Sequence, residues 1–121
     1  MSDDALARLR SICLALPEAV EAGGVADHTF RIRKKIFAMY LDNHHGDGRL
    51  AMWCKAPAGA QDFLVQSDPE RFFVPPYVGV HRWIGVHLNR DPDWQEIEDL
   101  VEEAYRMTAP KRLVAELDRG A

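Results

Sequence analysis

Arg31, Arg33, Lys34, Lys35, Trp53, Lys55, Trp83 and His87 are the residues of this chain whose types could do chemistry together. Arginine and lysine hold phosphate oxygens by charge-assisted hydrogen bonds, and flat rings set among them stack on unpaired bases, as in single-stranded nucleic-acid platforms. Strand parity would gather them. If Phe30, Ile32, Phe37, Met39, Leu41, Leu50, Met52, Ile84, Val86 and Leu88 face a layer of helices, the opposite face shows Arg31, Arg33, Tyr40, Arg49, Trp53, Lys55, Trp83 and His87. A second reading packs Trp53 and Trp83 beneath the Tyr77 loop or a second subunit and leaves the arginines solvated.

Other reactive side chains carry less. His44 and His45 lie in the turn-forming run from Asp42 to Gly48 (DNHHGDG), where nothing orients them, and no zinc-ligand spacing supports a metal site. They read as a solvated turn. His81 and His87, six apart on an expected strand, share a face, but no nucleophile or carboxylate is placed beside them for proton transfer. Cys13 and Cys54 have core parity and read as buried small hydrophobes. Glu96, Glu98, Asp99, Glu102 and Glu103 form the polar face of a helix and would repel a DNA backbone approaching from that side. With no nucleophile elbow, GxGxxG or Walker loop, the expectation is a non-enzymatic protein without cofactor or metal.

Periodicity predicts the elements that must position these groups. Leu6, Leu9, Ile12, Cys13 and Leu16 recur at helical steps, giving a helix over about residues 3 to 16, with Ser2 as N-cap, Asp3 and Asp4 near its positive end and Pro17 as its stop. The period then changes to two, with a hairpin around Lys34-Lys35 and a third strand from Arg49 to Lys55. Pro57 to Gln66 reads as a short helix, Phe72 to Tyr77 as at most an edge strand, and Arg82 to Leu88 as a further strand. A long helix follows, capped by Asp91 with Pro92 at its first turn and striped by Trp94, Ile97, Leu100, Val101, Ala104, Tyr105 and Thr108. Pro110 breaks it. Leu113, Val114 and Leu117 continue as a short helical piece, and residues 118–121 read as a loose tail. This order predicts one α+β domain of two layers, an antiparallel sheet with helices packed on one face.

Composition bounds the function. A chain of 121 residues is long enough to bury a core without staples, and 15 Lys plus Arg against 19 Asp plus Glu give a net charge of −4. That excludes a uniformly basic nucleic-acid glove, so any basic site is local. Two cysteines outside any CxxC pair predict a reducing, cytoplasmic setting. The acidic start and the absence of an apolar run near ~18 residues predict neither a signal peptide nor a membrane span.

Several runs together resemble the MmcQ/YjbR-like family of small bacterial proteins: Ile12 to Pro17 (ICLALP), His28 to Ala38 (HTFRIRKKIFA), Pro75 to Gly79 (PPYVG) with Arg82 to Val86 (RWIGV), and Asp93-Trp94 through Tyr105 to Lys111. The chain departs from the family in having Lys34 where glycine is common, which makes the hairpin turn more basic. The resemblance implies a two-layer α+β fold similar to secretion chaperones and frataxin-like proteins. It also implies DNA binding, by analogy with a phage "double wing" domain. The partners so expected are DNA or single-stranded nucleic acid. The alternatives are a protein partner or second copy held on the open sheet, as in a chaperone-like module, and a small ligand walled by Trp53, Trp83 and Tyr77.

Overall fold

The structure is a computed structural model that describes residues 2–23 and 27–120, without the side chains of Ser2, Asp3 and His45. The expected Ser2 cap and the role of the Asp3 charge therefore lie outside the described residues. Helix α1 (Ser2–Leu14) is followed by strands β1 (Val20–Gly23), β2 (Asp27–Ile32), β3 (Lys35–Asp42) and β4 (Leu50–Cys54), then by helix α2 (Ala60–Ser67). Strands β5 (Phe72–Phe73) and β6 (Ile84–His87) precede the two closing helices, α3 (Trp94–Thr108) and α4 (Lys111–Gly120). All strand pairs are antiparallel, in the order β1-β2-β3-β4-β6-β5. The expected α+β architecture is the one found.

One face of the sheet carries the main core. Phe30, Ile32, Phe37, Tyr40, Met52, Ile84 and Val86 pack there with Leu9 and Cys13 of α1, Ile97, Val101 and Tyr105 of α3, and Leu113 of α4. The ring of Tyr105 meets Phe37 edge-on at 5.6 Å, and its hydroxyl donates to the Pro17 carbonyl at 2.6 Å, so a large polar side chain is buried with its hydrogen bond made.

Three local expectations are corrected and one strand is added to them. The added strand is β1, a short edge strand that the alternation does not reveal. The β2–β3 turn is Arg33-Lys34, because Ile32 pairs with Lys35, and it is Arg33 that takes the positive φ of 60°. The cap of α3 is Asp93, whose carboxylate accepts the N–H groups of Gln95 and Glu96, whereas Asp91 lies in the preceding turn. Residues 118–120 are helical rather than loose, and Asp118 pairs with Arg106 at 2.6 Å.

A β-bulge changes the two faces. Phe30 pairs with Ala38 but Arg31 pairs with Ile36, so Phe37 is an extra residue in β3. One extra residue inverts the alternation beyond it. Tyr40 therefore joins the helix-side core, and Met39 and Leu41 turn to the other face, the reverse of simple parity. On that other face Leu41, Ala51, Trp53, Phe73 and Trp83 form a second buried cluster, with Ile36, Met39 and Val78 packed against it. The cover is the segment 74–83, which includes a 3-10 turn at Val78–His81 and is tied to α2 where the Gln61 amide donates to the carbonyls of Gly79 and Trp83, at 2.9 and 2.6 Å.

Candidate functional site

The eight candidate residues fall into two groups. At the hairpin end of the sheet, Lys34 and Lys35 are exposed, and Lys55 follows the last residue of β4, its N–H bonded to the Phe37 carbonyl. Burial first, and then the charge of Lys35, hold Lys55 below the ordinary lysine value. None of these three lysines has a carboxylate partner among the described residues. Arg33 differs: its guanidinium lies 3.3 Å from Glu18, which also meets Arg112 at 3.5 Å. Arg31 donates to the Thr29 hydroxyl at 3.2 Å.

Trp53, Trp83 and His87 belong to the second group, and they are buried. Trp53 is 2% and Trp83 7% exposed, so neither offers a face to a nucleic-acid base. The His87 ring lies against Phe73 at a tilt of 43°, with ring centroids 4.7 Å apart. Burial first, and then the charges of Arg90 and Arg49, push His87 below its ordinary value, with Asp47 pulling the other way. His81, expected to share its strand, lies instead in the exposed 3-10 turn.

The structure also assembles a cleft from residues that turn composition had marked as solvated. His44, Asp47, Arg49, Val74, Pro76 and Tyr77 line an open space of about 450 Å3 between the loop after β3 and the segment after β5. Asp27 reaches His44 Nδ1 at 3.2 Å, and the imidazole meets the Trp53 ring at 5.2 Å and the Tyr77 ring at 6.4 Å, both edge-on. The Arg49 guanidinium lies 4.1 Å over the Phe73 ring. Asn43 and Asp47 brace this loop, accepting the N–H groups of Gly48 and Arg49 at 2.8 Å each. Of the three rings expected to wall a small-ligand site, Tyr77 lines this cleft, whereas Trp53 lies behind His44 and Trp83 is not among the lining residues.

Metal and thiol chemistry gain no support. Among the described residues no group of three or more His, Cys, Asp or Glu could hold a metal ion, and no helix is long and apolar enough to cross a membrane. Cys13 and Cys54 are free and fully buried, and burial pushes both thiols up, Cys54 to about 12.

A six-stranded antiparallel sheet with helices on one face and a loop-covered second face defines a two-layer α+β protein. The family model described as YjbR matches residues 14–107, and the chain belongs to that family. Among solved structures it is similar to the crystal structure of the Deinococcus radiodurans protein DR2400, whose domain is described as DUF419. The TM-score is 0.74 at 18% identity, over 93% of this chain and 87% of that one, a likeness of fold. No curated protein matches the chain.

Proposed function

We propose that this YjbR-family protein is a non-enzymatic nucleic-acid binder that grips the phosphate backbone with the β2–β3 hairpin end. The observation that carries the reading is the gathering of Lys34, Lys35 and Lys55 at one end of the sheet without carboxylate partners among the described residues, in a chain of net charge −4. Unpaired clustered cations release counterions when they meet phosphate. Arg31 and Arg33 flank them, and Arg33 can exchange Glu18 for a phosphate oxygen. The exposed carboxylates of α3, Glu98, Asp99, Glu102 and Glu103, disfavour approach from the helix side and so favour a hairpin-first orientation. With Trp53 and Trp83 buried, base stacking has no part in this reading, and duplex is expected to bind at least as well as single strands. Two buried free thiols fit a reducing compartment such as a bacterial cytoplasm.

Fluorescence anisotropy with labelled duplex and single-stranded oligonucleotides at two salt concentrations tests this. The double change Lys34→Ala with Lys35→Ala should weaken duplex binding and reduce the log-log salt slope by about 1.8. Absence of binding at low salt by protein that circular dichroism shows folded removes the reading. A slope unchanged by the lysine substitutions moves the contact elsewhere.

A further inference from the structure

We propose that the cleft between the loop after β3 and the segment after β5 binds a small aromatic monocarboxylate, a flat ring bearing one negative charge. This site is separate from the hairpin lysines and does not depend on the nucleic-acid reading.

Arg49 supplies the anion contact. Its guanidinium is held 4.1 Å over the Phe73 ring and has no carboxylate partner among the described residues. A stacked guanidinium keeps its in-plane N–H donors, whose fork matches the two oxygens of a carboxylate. The cation is thus held in place before any ligand arrives.

Tyr77 supplies the flat surface. Its backbone sits at φ 65° and ψ −63°, and the Val78 N–H reaches the Pro76 carbonyl at 2.7 Å, which makes a three-residue γ-turn of the rare, strained hand. Strain of this kind persists where the surroundings impose it, and it gathers at ligand sites. Here it presents a tyrosine ring that is 73% exposed while remaining beside His44. Pro76 and Val74 extend the apolar wall, and Asp27 sets the orientation of the imidazole that closes the inner end. A volume of about 450 Å3 suits a single ring with its substituents.

Asp47 narrows the choice of anion. Its carboxylate lines the same cleft, and Asp27 adds a second negative charge behind His44. Arg49 sets one positive charge against two carboxylates, so every negative charge a ligand carries beyond the one held by the guanidinium fork adds repulsion, and a dianionic phosphate is disfavoured more than a monoanion. A monocarboxylate is the class that fits.

The test is a titration of the full chain with benzoate, cyclohexanecarboxylate and phenyl phosphate, followed by amide NMR shifts. Benzoate is expected to saturate, with shifts confined to residues 44–49 and 73–78. Cyclohexanecarboxylate, which has the charge without the flat ring, should bind about three- to tenfold more weakly. Phenyl phosphate should bind more weakly than benzoate above its second pKa of about 6, and Asp47→Asn should shrink that difference. Tyr77→Ala should weaken benzoate about tenfold, and Arg49→Met should remove saturable binding. Because Arg49 also packs on Phe73, the exposed-site changes Tyr77→Ala and Asp47→Asn carry the test if Arg49→Met does not fold. Benzoate shifts that never saturate, shifts that centre on Lys34, Lys35 and Lys55, or affinities indifferent to both exposed-site changes would overturn the proposal.

Discussion

On one side the sheet buries Phe30, Phe37, Tyr40 and Met52 beneath α1, α3 and α4, whereas on the other it buries Trp53 and Phe73 beneath the irregular chain of residues 74–83, whose own Trp83 is buried with them. Helices satisfy their own backbone groups internally, so the first cover needs little beyond apolar contact and the Tyr105 hydrogen bond to Pro17. An irregular cover must find partners for its carbonyls, and it uses the Gln61 amide together with turns in which Tyr77 and Arg82 adopt positive φ. Imidazole and guanidinium groups follow it inward, for His44, Arg49 and His87 all touch the second cluster, whereas the titratable groups within the first are the thiols of Cys13 and Cys54 and the phenols of Tyr40 and Tyr105. The helix-covered face holds the larger core, and the imidazoles of His44 and His87 with the Arg49 guanidinium lie against the face closed by loop.

Phe37→Ala is the harshest way to probe that difference. It would empty space beside Tyr105 between regular elements that cannot close in, at a cost of about 3–5 kcal/mol, read as a lower urea midpoint at an unchanged slope. Trp83→Ala deletes a larger ring, yet the cover can settle into the gap, so the expected loss is about 2 kcal/mol, with faster proteolysis within residues 74–83. Equal losses at the two sites would mean that the loop is as unyielding as the helices. Gly85→Ala acts on the second cluster from the strand itself. A Cβ there would lie 2.4 Å from the Phe73 ring, so the ring that carries Arg49 must move, at a cost of about 1–3 kcal/mol. A loss near zero would show that Phe73 shifts freely.

The smallest effect is one of pH, and its sign differs between the faces. His87 is held below its ordinary 6.5, so the unfolded chain takes up the proton first. Its contribution to stability is present above 6.5 and lost as pH falls through the depressed folded value. Burial raises Tyr105 above its ordinary 10.0, so its contribution is present below 10.0 and lost as pH rises through the higher folded value. His87→Gln should flatten the acid limb of a stability profile, and Tyr105→Phe the alkaline limb. An acid limb unchanged by His87→Gln would place the acid sensitivity elsewhere.

Much of the helix-side architecture was legible because its signals are repeated. The stripe of Ile97, Val101, Ala104 and Tyr105 and the alternation of Leu50, Met52 and Cys54 each state one face several times over, and those residues lie where the period puts them. The bulge left no such mark. A single extra residue carries no composition of its own, and it reversed Met39, Tyr40 and Leu41 together. β1 was invisible because a four-residue edge strand with Val20 exposed needs no apolar alternation. Asp91 and Asp93 flank Pro92 with the same side chain, and only backbone geometry chooses the cap. For the site, the lysine-rich turn was legible from residue type alone. For Trp53 and Trp83 the sequence leaves two readings open, since parity assigns a face without saying what covers it, and the structure bears out the one that packs them beneath the Tyr77 loop. Turn-forming neighbours dominate the local sequence of His44 and point to solvent, while its partners Asp27, Trp53 and Tyr77 come from distant strands and loops.

Gln61 has a consequence for how the molecule breathes. Helix α2 has no fully buried residue, and one side-chain nitrogen joins it to the carbonyls of Gly79 and Trp83. A short helix and a covering segment that share such a clip are expected to exchange their amide protons as one cooperative unit, at an opening free energy below that of β3 and β4. Whatever settles against Tyr77 raises that opening free energy by mass action. The amides of α2, which form no wall of the cleft, would then exchange more slowly and report its occupancy from a distance.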